Sequence, residues 1–132
     1  MAWDGEQLRV NFTALEALDT DGHVGVAIQY DTGKVAALAN KASGILLPMS
    51  KPKSNETGSI GVMGVMKFRG GGAVTAGQHI TSTTSGYFTA LAGSVTSGSV
   101  VLGKCLEAAA SGGLGVGLFN FAQLNYCATS LA

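Results

Sequence analysis

The chain has 132 residues, the length of one ordinary domain, which argues against a two-domain enzyme. Gly, Ala, Ser and Thr (20, 18, 11 and 11) fill 60 of those positions, whereas Asp, Glu, Lys and Arg make up only 12%, about half of the usual share. The eight basic and eight acidic side chains cancel, so no global field attracts nucleic acid or an anionic membrane.

The few charges are unevenly distributed along the chain. Asp, Glu, Lys and Arg are absent from 70–103 and from 108–132. A surface with so few charges favours association with other molecules over a monomeric state in solution. We therefore interpret the chain as the subunit of an assembly; the alternative is a monomer whose exposed strands carry Ser, Thr and Gly.

A targeting signal or a membrane span would change this interpretation. Residues 1–6 carry neither the basic leader nor the apolar stretch of a secretory signal, and we expect synthesis and retention in a cytoplasm. The uncharged stretch from residue 108 is too polar to predict a membrane span. In such a compartment Cys105 and Cys127 are either two small buried apolar residues or a disulfide pair.

The N-terminal segment allows two structures. Thr13 to Glu16 has the capping-box pattern of a helix start, with Leu15 and Leu18 at helical spacing, which permits one short turn of helix. The alternative is an extended arm. In that case Leu8, Val10, Phe12 and Ala14 share one face.

Strand-like segments bounded by Gly or polar turns dominate the rest of the chain. A hairpin is predicted from strands at 24–30 and 35–39, joined by a tight turn at 31–34. Segment 60–68 alternates, with Ile60, Val62, Gly64, Met66 and Phe68 on the face that suits a core. Further strands are predicted over 79–83, 87–91, 100–106 and 114–124.

The regular spacing of turn signals predicts an all-β fold, a small β-barrel or sandwich with at most one or two short helical turns. The second candidate turn of helix lies at 106–110, where Leu, Glu and Ala favour helix by propensity. We expect residues 1–20 to form an N-terminal arm and residues 21–132 a single β-rich domain.

Motifs for catalysis or cofactor binding are weak. Segment 98–105 nearly matches a phosphate-binding loop but ends in a thiol where a hydroxyl is needed, and 19–22 starts like a calcium loop that lacks its later ligands. His23 and His79 are far apart and have no metal-ligand spacing, and no Gly-x-Ser-x-Gly elbow occurs. We predict no catalytic residue, metal or cofactor, and an enzyme is the third hypothesis.

Several glycine-rich landmarks, taken together and in order, resemble a known family. They are Gly33-Lys34-Val35 through Ala39, Gly44-Ile45-Leu46, Lys51-Pro52-Lys53, 70–77, Ile80-Thr81-Ser82, Gly86 and 103–113. This order is similar to that of the small head decoration proteins of tailed phages, also called capsid cement proteins. The resemblance covers about residues 24–121.

The resemblance implies a compact, β-tulip-like domain that forms homotrimers. Such a trimer sits on the outside of an icosahedral head at local threefold positions, where it binds the major capsid protein of the expanded shell. The implied location is the virion exterior, after assembly in the host cytoplasm. The alternative is another self-assembling β-rich phage module, such as a tail, fibre or surface-layer component.

Two segments carry the predicted capsid contacts. The N-terminal arm is expected to add a strand to a capsid edge, since Trp and Arg are frequent interface anchors; the alternative is that its apolar residues pack on their own domain. The loop lysines either meet acidic capsid loops or remain ordinary solvated charges. The predicted contact residues are Trp3, Leu8, Arg9, Val10, Phe12, Lys51 and Lys53.

Overall fold

The computed structural model describes residues 7–18, 22–29, 32–37, 42–47, 51–83, 85–91, 100–121 and 125–126. These ranges contain no helix and form eleven β-strands. The strands are β1 (Gln7–Thr13), β2 (Gly25–Ile28), β3 (Val35–Ala36), β4 (Gly44–Leu46), β5 (Thr57–Arg69), β6 (His79–Ser82), β7 (Phe88–Ala90), β8 (Val100–Val101), β9 (Gly103–Glu107), β10 (Leu114–Asn120) and β11 (Asn125–Tyr126).

Nine of the strands form one sheet in the order β3-β2-β4-β5-β10-β9-β6-β7, with β1 paired to β5 outside this path. The named strands pair antiparallel throughout, and β8 and β11 form a separate two-stranded sheet. The protein is therefore all-β, as the sequence predicts. The predicted hairpin is also confirmed, because Ala27 of β2 lies opposite Ala36 of β3.

Strand β5 organises the sheet, because it pairs with three other strands. It contacts β1 over 57–64, β4 over 60–61 and β10 over 63–69. The predicted alternation is confirmed on its core side, where the buried large side chains are Ile60, Val62, Met66 and Phe68. A register shift opposite Leu8 and Arg9 and a positive φ of 115° at Gly64 bend the strand midway.

Hydrogen bonds between distant strands curl the sheet into a half-barrel. The amide of Gly25 in β2 donates to the carbonyl of Gly86 at 2.7 Å, and Gly71 N donates to Phe88 O at 2.7 Å. The buried hydroxyl of Ser82 accepts from Ala42 N at 3.2 Å. These bonds bring the β6–β7 hairpin back onto the β2 end of the sheet, so that its inner face encloses the core.

Phenylalanine rings fill this core. Phe119 stacks on Phe121 with ring centroids 5.2 Å apart, and Phe88 lies 5.5 Å from Phe119 and 6.0 Å from Phe68. Glycines of β10 leave the space that the rings occupy. A Cβ at Gly117 would lie 2.7 Å from the Phe119 ring, and one at Gly115 would lie 2.8 Å from Phe68.

Within the described residues, neither of the two helical turns that the sequence permits is formed. Ala14 forms a parallel bridge to Val35 and donates its amide to Glu56 O at 2.9 Å. At the second site β9 continues to Glu107, and Ala109 bridges to Val74 with both amides paired at 2.9 Å. The local helix propensity is worth roughly a few tenths of a kcal/mol per residue. Backbone hydrogen bonds to distant strands outweigh it.

Among the residues that the structure describes, no helix is long or apolar enough to cross a membrane.

Replacing Gly103 by Ala should destabilise the fold. A Cβ there would lie 2.5 Å from Leu118 O and 2.7 Å from the Phe119 ring, so backbone or ring must move. We expect the free energy of unfolding in urea to fall by about 1–3 kcal/mol.

Gly72→Ala is the matched control, because its Cβ would meet nothing closer than Thr89 Oγ1 at 3.8 Å. It should change the free energy of unfolding by less than about 1 kcal/mol. Equal losses in the two variants would contradict the close packing of Gly103.

Candidate functional site

The first residues of strand β1 present side chains to two different surfaces of the protein. Successive side chains of a strand point to opposite faces, so Leu8 and Val10 lie on one face and Arg9 on the other. Leu8 and Val10 are 55% and 41% exposed, whereas Phe12 further along the same face is buried in the core. The curved sheet therefore covers this face of β1 at Phe12 and leaves it open at Leu8 and Val10.

An apolar stripe crosses the sheet on the face of Leu8. Leu8 lies directly opposite Met63 on β5, and Leu118 on β10 lies opposite Val65. Residues paired in this way share a face. We call Leu8, Met63, Val65 and Leu118 the apolar stripe; Leu118 is 52% exposed and Met63 39%.

A cleft of about 790 Å³ lies beside the same strand. It is bounded by the start of β1, the end of β4, the segment that leads into β5, and β5 itself. Its lining residues are Gln7, Arg9, His23, Ile45, Leu47, Lys51, Pro52, Asn55, Glu56, Thr57, Gly58, Ser59, Met66 and Lys67.

Local hydrogen bonds hold the segment that carries Lys51. Pro52 is buried, and its carbonyl accepts from Leu18 N at 2.9 Å. Asn55 N donates to Ala14 O at 2.8 Å. The buried proline therefore anchors the loop, and the lysines on either side of it remain exposed.

The described lining of the cleft holds more basic than acidic side chains. Arg9, Lys51 and Lys67 line it with three formal positive charges, and of the described lining residues only Glu56 carries a carboxylate. That carboxylate caps its own loop, since Glu56 Oε1 accepts from Lys53 N at 2.7 Å. The described lining residues therefore include three basic side chains and one acidic side chain.

Two lining residues have unusual backbone geometry. His23 and Asn55 have φ values of 70° and 67°, and they are the non-glycine residues with positive φ in the described part of the chain. Such conformations persist where the surrounding structure fixes them. His23 is fixed on both sides, because its N donates to Leu46 O at 2.8 Å and its O accepts from Arg69 N at 3.0 Å.

The structure brings together only part of the predicted contact set. Arg9 and Lys51, predicted in separate segments, line one cleft. Lys53 is exposed on the neighbouring loop, and Trp3 lies outside the described residues. Residues 7–13, predicted as part of an arm, pair with β5 of their own sheet.

Sequence reasoning missed Lys67 and His23 as members of the cleft. In the alternation of segment 60–68, Lys67 falls on the face opposite the predicted core residues. Lys67 reaches the cleft because β5 bends at Gly64. No local sequence pattern around Lys67 predicts that bend.

The remaining chemically notable groups of the described residues are possible metal ligands and one thiol. The described residues contain no group of three or more His, Cys, Asp or Glu side chains placed to hold a metal. Cys105 is a free, buried thiol whose Sγ donates to Glu107 O at 3.1 Å. Burial raises the pKa of the Cys105 thiol, which favours the unreactive protonated form. Cys127 lies outside the described residues.

The comparisons with known proteins give a likeness in fold and none in sequence. No protein-family model matches the chain, and no curated protein matches it in sequence. Among solved structures, the chain is similar to the N base of the head fibre gp8.5 of bacteriophage phi29. The TM-score is 0.65 at 14% sequence identity, and the match covers 90% of this chain and 100% of that chain. The two proteins share a fold.

The burial of Cys105 predicts slow reaction with thiol reagents. In a Cys127→Ser variant at about pH 8.5, where an exposed thiol is half ionised, iodoacetamide should modify the folded protein at least about tenfold more slowly than the urea-unfolded protein. Because the folded pKa is raised, the unfolded state ionises first, and stability should fall as pH rises above the unfolded value. Equal alkylation rates in the folded and unfolded protein would contradict this burial.

Proposed function

We propose that the chain is a structural protein of a tailed-phage head that binds the outside of the shell. Its partner is the major capsid protein, its site of action is the virion exterior after assembly in the host cytoplasm, and it acts by binding and not by catalysis. The observation that carries the proposal is the fold match over the whole length of the phi29 head-fibre base. The resemblance of the glycine-rich landmarks to head decoration proteins supports it independently of that match.

The surfaces of the molecule support an assembly role. The apolar stripe exposes Leu8, Met63 and Leu118 on three adjacent strands. Interfaces between identical subunits are more apolar than the remaining surface. We assign the stripe to contacts between copies of the chain in a homotrimer, the state that the decoration family implies.

The trimer would act as cement at local threefold positions. A protein that binds the expanded shell and not the unexpanded one shifts the equilibrium toward expansion. Many copies bound in this way stabilise neighbouring capsid subunits together. Trp3 remains a predicted anchor in this assembly.

The second candidate function is the base of a head fibre. The fold that the chain shares with the N base of the phi29 head fibre favours it directly. A fibre base also binds the shell from outside, but it has no need to stabilise it. Shell stability therefore separates the two functions.

Leu118→Gln should weaken self-association. Leu118 is 52% exposed within the stripe, so a polar side chain there should leave the fold intact while it removes apolar interface area. Multi-angle light scattering should show a trimer for the unchanged protein and a lower mean mass for the variant. Ile28→Gln is the control, since Ile28 on β2 is also 52% exposed but lies outside the stripe. A wild-type mass of one chain at micromolar concentration would contradict the free trimer.

Purified shells of the phage that encodes the chain test the shell-binding role. We expect the protein to sediment with expanded shells and not with unexpanded ones. At a free concentration of about 100 times Kd, each site should add about 2.7 kcal/mol to the stability of the bound state, which calorimetry detects as a higher shell transition temperature.

Binding without any rise in that temperature would favour the fibre base over cement. If neither form of the shell retains the protein, the proposal fails.

A further inference from the structure

The outer edge of strand β1 is open in the described part of the sheet. β1 pairs with β5 on one side, and among the described strands none pairs with it on the other side. Five of its seven residues are exposed. An exposed strand edge presents unpaired N–H and C=O groups to which another strand can bind.

Alternate residues of β1 turn their backbone groups toward this open edge. Just past the end of β1, Ala14 N donates to Glu56 O on the side of β5. Leu15 N, one residue further on, donates to Val35 O on the opposite side. Because successive residues of a strand point their backbone groups to alternate sides, the odd-numbered residues of β1 face away from β5. The outward backbone groups without a hydrogen-bond partner among the described residues belong to Arg9, Asn11 and Thr13.

The two ends of the main sheet are protected in a way that β1 is not. β3 at one end has two residues, and its Val35 O accepts from Leu15 N at 2.9 Å. β7 at the other end has three residues, and its Phe88 O accepts from Gly71 N at 2.7 Å. Short strands and covered edges are the usual protection against pairing between sheets. β1 has seven residues, no proline and a single charge, so its edge lacks that protection.

We propose that the outer edge of β1 pairs with the same edge of a second copy of this chain, antiparallel and about a twofold axis at Val10. This contact goes beyond the proposed function, because it is independent of any shell. The sequence of β1 identifies the occupant. Polar residues at 7, 9, 11 and 13 alternate with apolar residues at 8, 10 and 12, so the pattern reads the same in both directions from Val10.

In this register the side chains of the two strands match. Val10 lies opposite Val10 of the second copy, and Leu8 lies opposite Phe12. Arg9 lies opposite Asn11, so no charge faces a like charge. The odd-numbered residues form the hydrogen-bonded pairs, as their outward backbone groups require.

Other registers are disfavoured by charge or by space. A twofold axis at Arg9 places two like charges directly opposite each other, which destabilises a cross-strand pair. An axis at Asn11 extends the pairing to Leu15, whose amide is already bonded to Val35 O. The register at Val10 avoids both problems and uses the full length of β1.

Pairing also covers apolar side chains that the single chain exposes. Leu8 and Val10 are 55% and 41% exposed, whereas Phe12 on the same face is buried in the core. In the pair, Phe12 of one copy lies beside Leu8 of the other, and the apolar face continues across the axis. The stripe contact uses side chains on the face of the sheet and the edge contact uses backbone groups, so the two contacts between copies are distinct.

A cysteine at the axis tests both the partner and the register. In Cys127→Ser protein, Val10→Cys places two thiols opposite each other in a non-hydrogen-bonded pair, with Cα atoms about 4.5 Å apart. Disulfides span Cα distances of about 4.4–6.8 Å. Oxidation of a concentrated solution should therefore convert most of the protein to a covalent dimer on a non-reducing gel. Cys105 is buried and should not contribute.

Leu8→Cys is the matched control in the same background. Leu8 is more exposed than Val10, but in the register at Val10 it lies four residues from the Leu8 of the second copy, roughly 13 Å along the strand. Its dimer yield should be at least about fivefold lower, since thiols at that separation cannot form a disulfide. Ile28→Cys, at a 52% exposed position on β2, measures dimer formation by random collision.

Light scattering on the Leu118→Gln protein, which is expected to lose the stripe contact, measures the edge contact alone. The contact is smaller than the roughly 1,200–2,000 Å² of a stable interface, so we expect the mean mass to rise from one chain at about 10 µM toward two chains at about 1 mM. Adding Val10→Lys should abolish this rise, because it places like charges opposite each other at an exposed position that tolerates a polar side chain. Adding Ile28→Lys in its place should leave the rise unchanged.

Three results would overturn the proposal. The first is an equal dimer yield from Val10→Cys and Leu8→Cys, which would show collision or the stripe contact in place of strand pairing. The second is a low Val10→Cys yield with hydrogen exchange at Arg9, Asn11 and Thr13 slowed only on shells, which would assign the edge to a strand of the shell. The third is slow exchange of those amides in dilute protein, which would assign the edge to another segment of the same chain.

Failure of the pair is distinguishable from failure of the proposed function. Neither the disulfide test nor the mass test uses shells. A chain that fails both tests and still sediments with expanded shells keeps its proposed function and loses only the edge contact.

Discussion

Direct packing of phenylalanine rings on glycine backbone is the interaction on which this structure depends. Gly103 and Gly117 lie against the Phe119 ring, and Gly115 lies against Phe68, at distances that leave no room for a Cβ. The rings then contact one another at centroid distances of 5.2–6.2 Å. A chain so rich in small residues can therefore bury large rings within one curled sheet. The strand glycines are part of the core and are not signs of a loose chain.

The curl of the sheet also creates the cleft and the apolar stripe. β5 bends at Gly64, and its two halves pair with different neighbours, β4 over 60–61 and β10 over 63–69. The bend places Lys67 and Met66 beside the start of β1, where the cleft lies. On β1, Leu8 of the apolar stripe and Arg9 of the cleft point to opposite faces. Core packing, cleft and stripe thus follow from one distorted strand.

Scarcity of charge gives the position of each cation unusual weight. Much of the surface is covered by small polar and apolar groups that permit contact with other chains. Against this background, Arg9, Lys51 and Lys67 make the cleft a local exception.

The sequence by itself determined the all-β class, the hairpin at β2 and β3, and the core face of β5, because alternation and turn residues encode those features locally. It also singled out Arg9 and Lys51, each within its own segment. Only the tertiary structure decided that Ala14 and Ala109 lie in bridges and not in helical turns, since their partners Val35 and Val74 are distant in the chain. It alone brought Arg9 and Lys51 to Lys67. Their meeting depends on the pairing of Gln7 with Gly64 and of Thr13 with Thr57, and no short-range pattern specifies a register between segments so far apart.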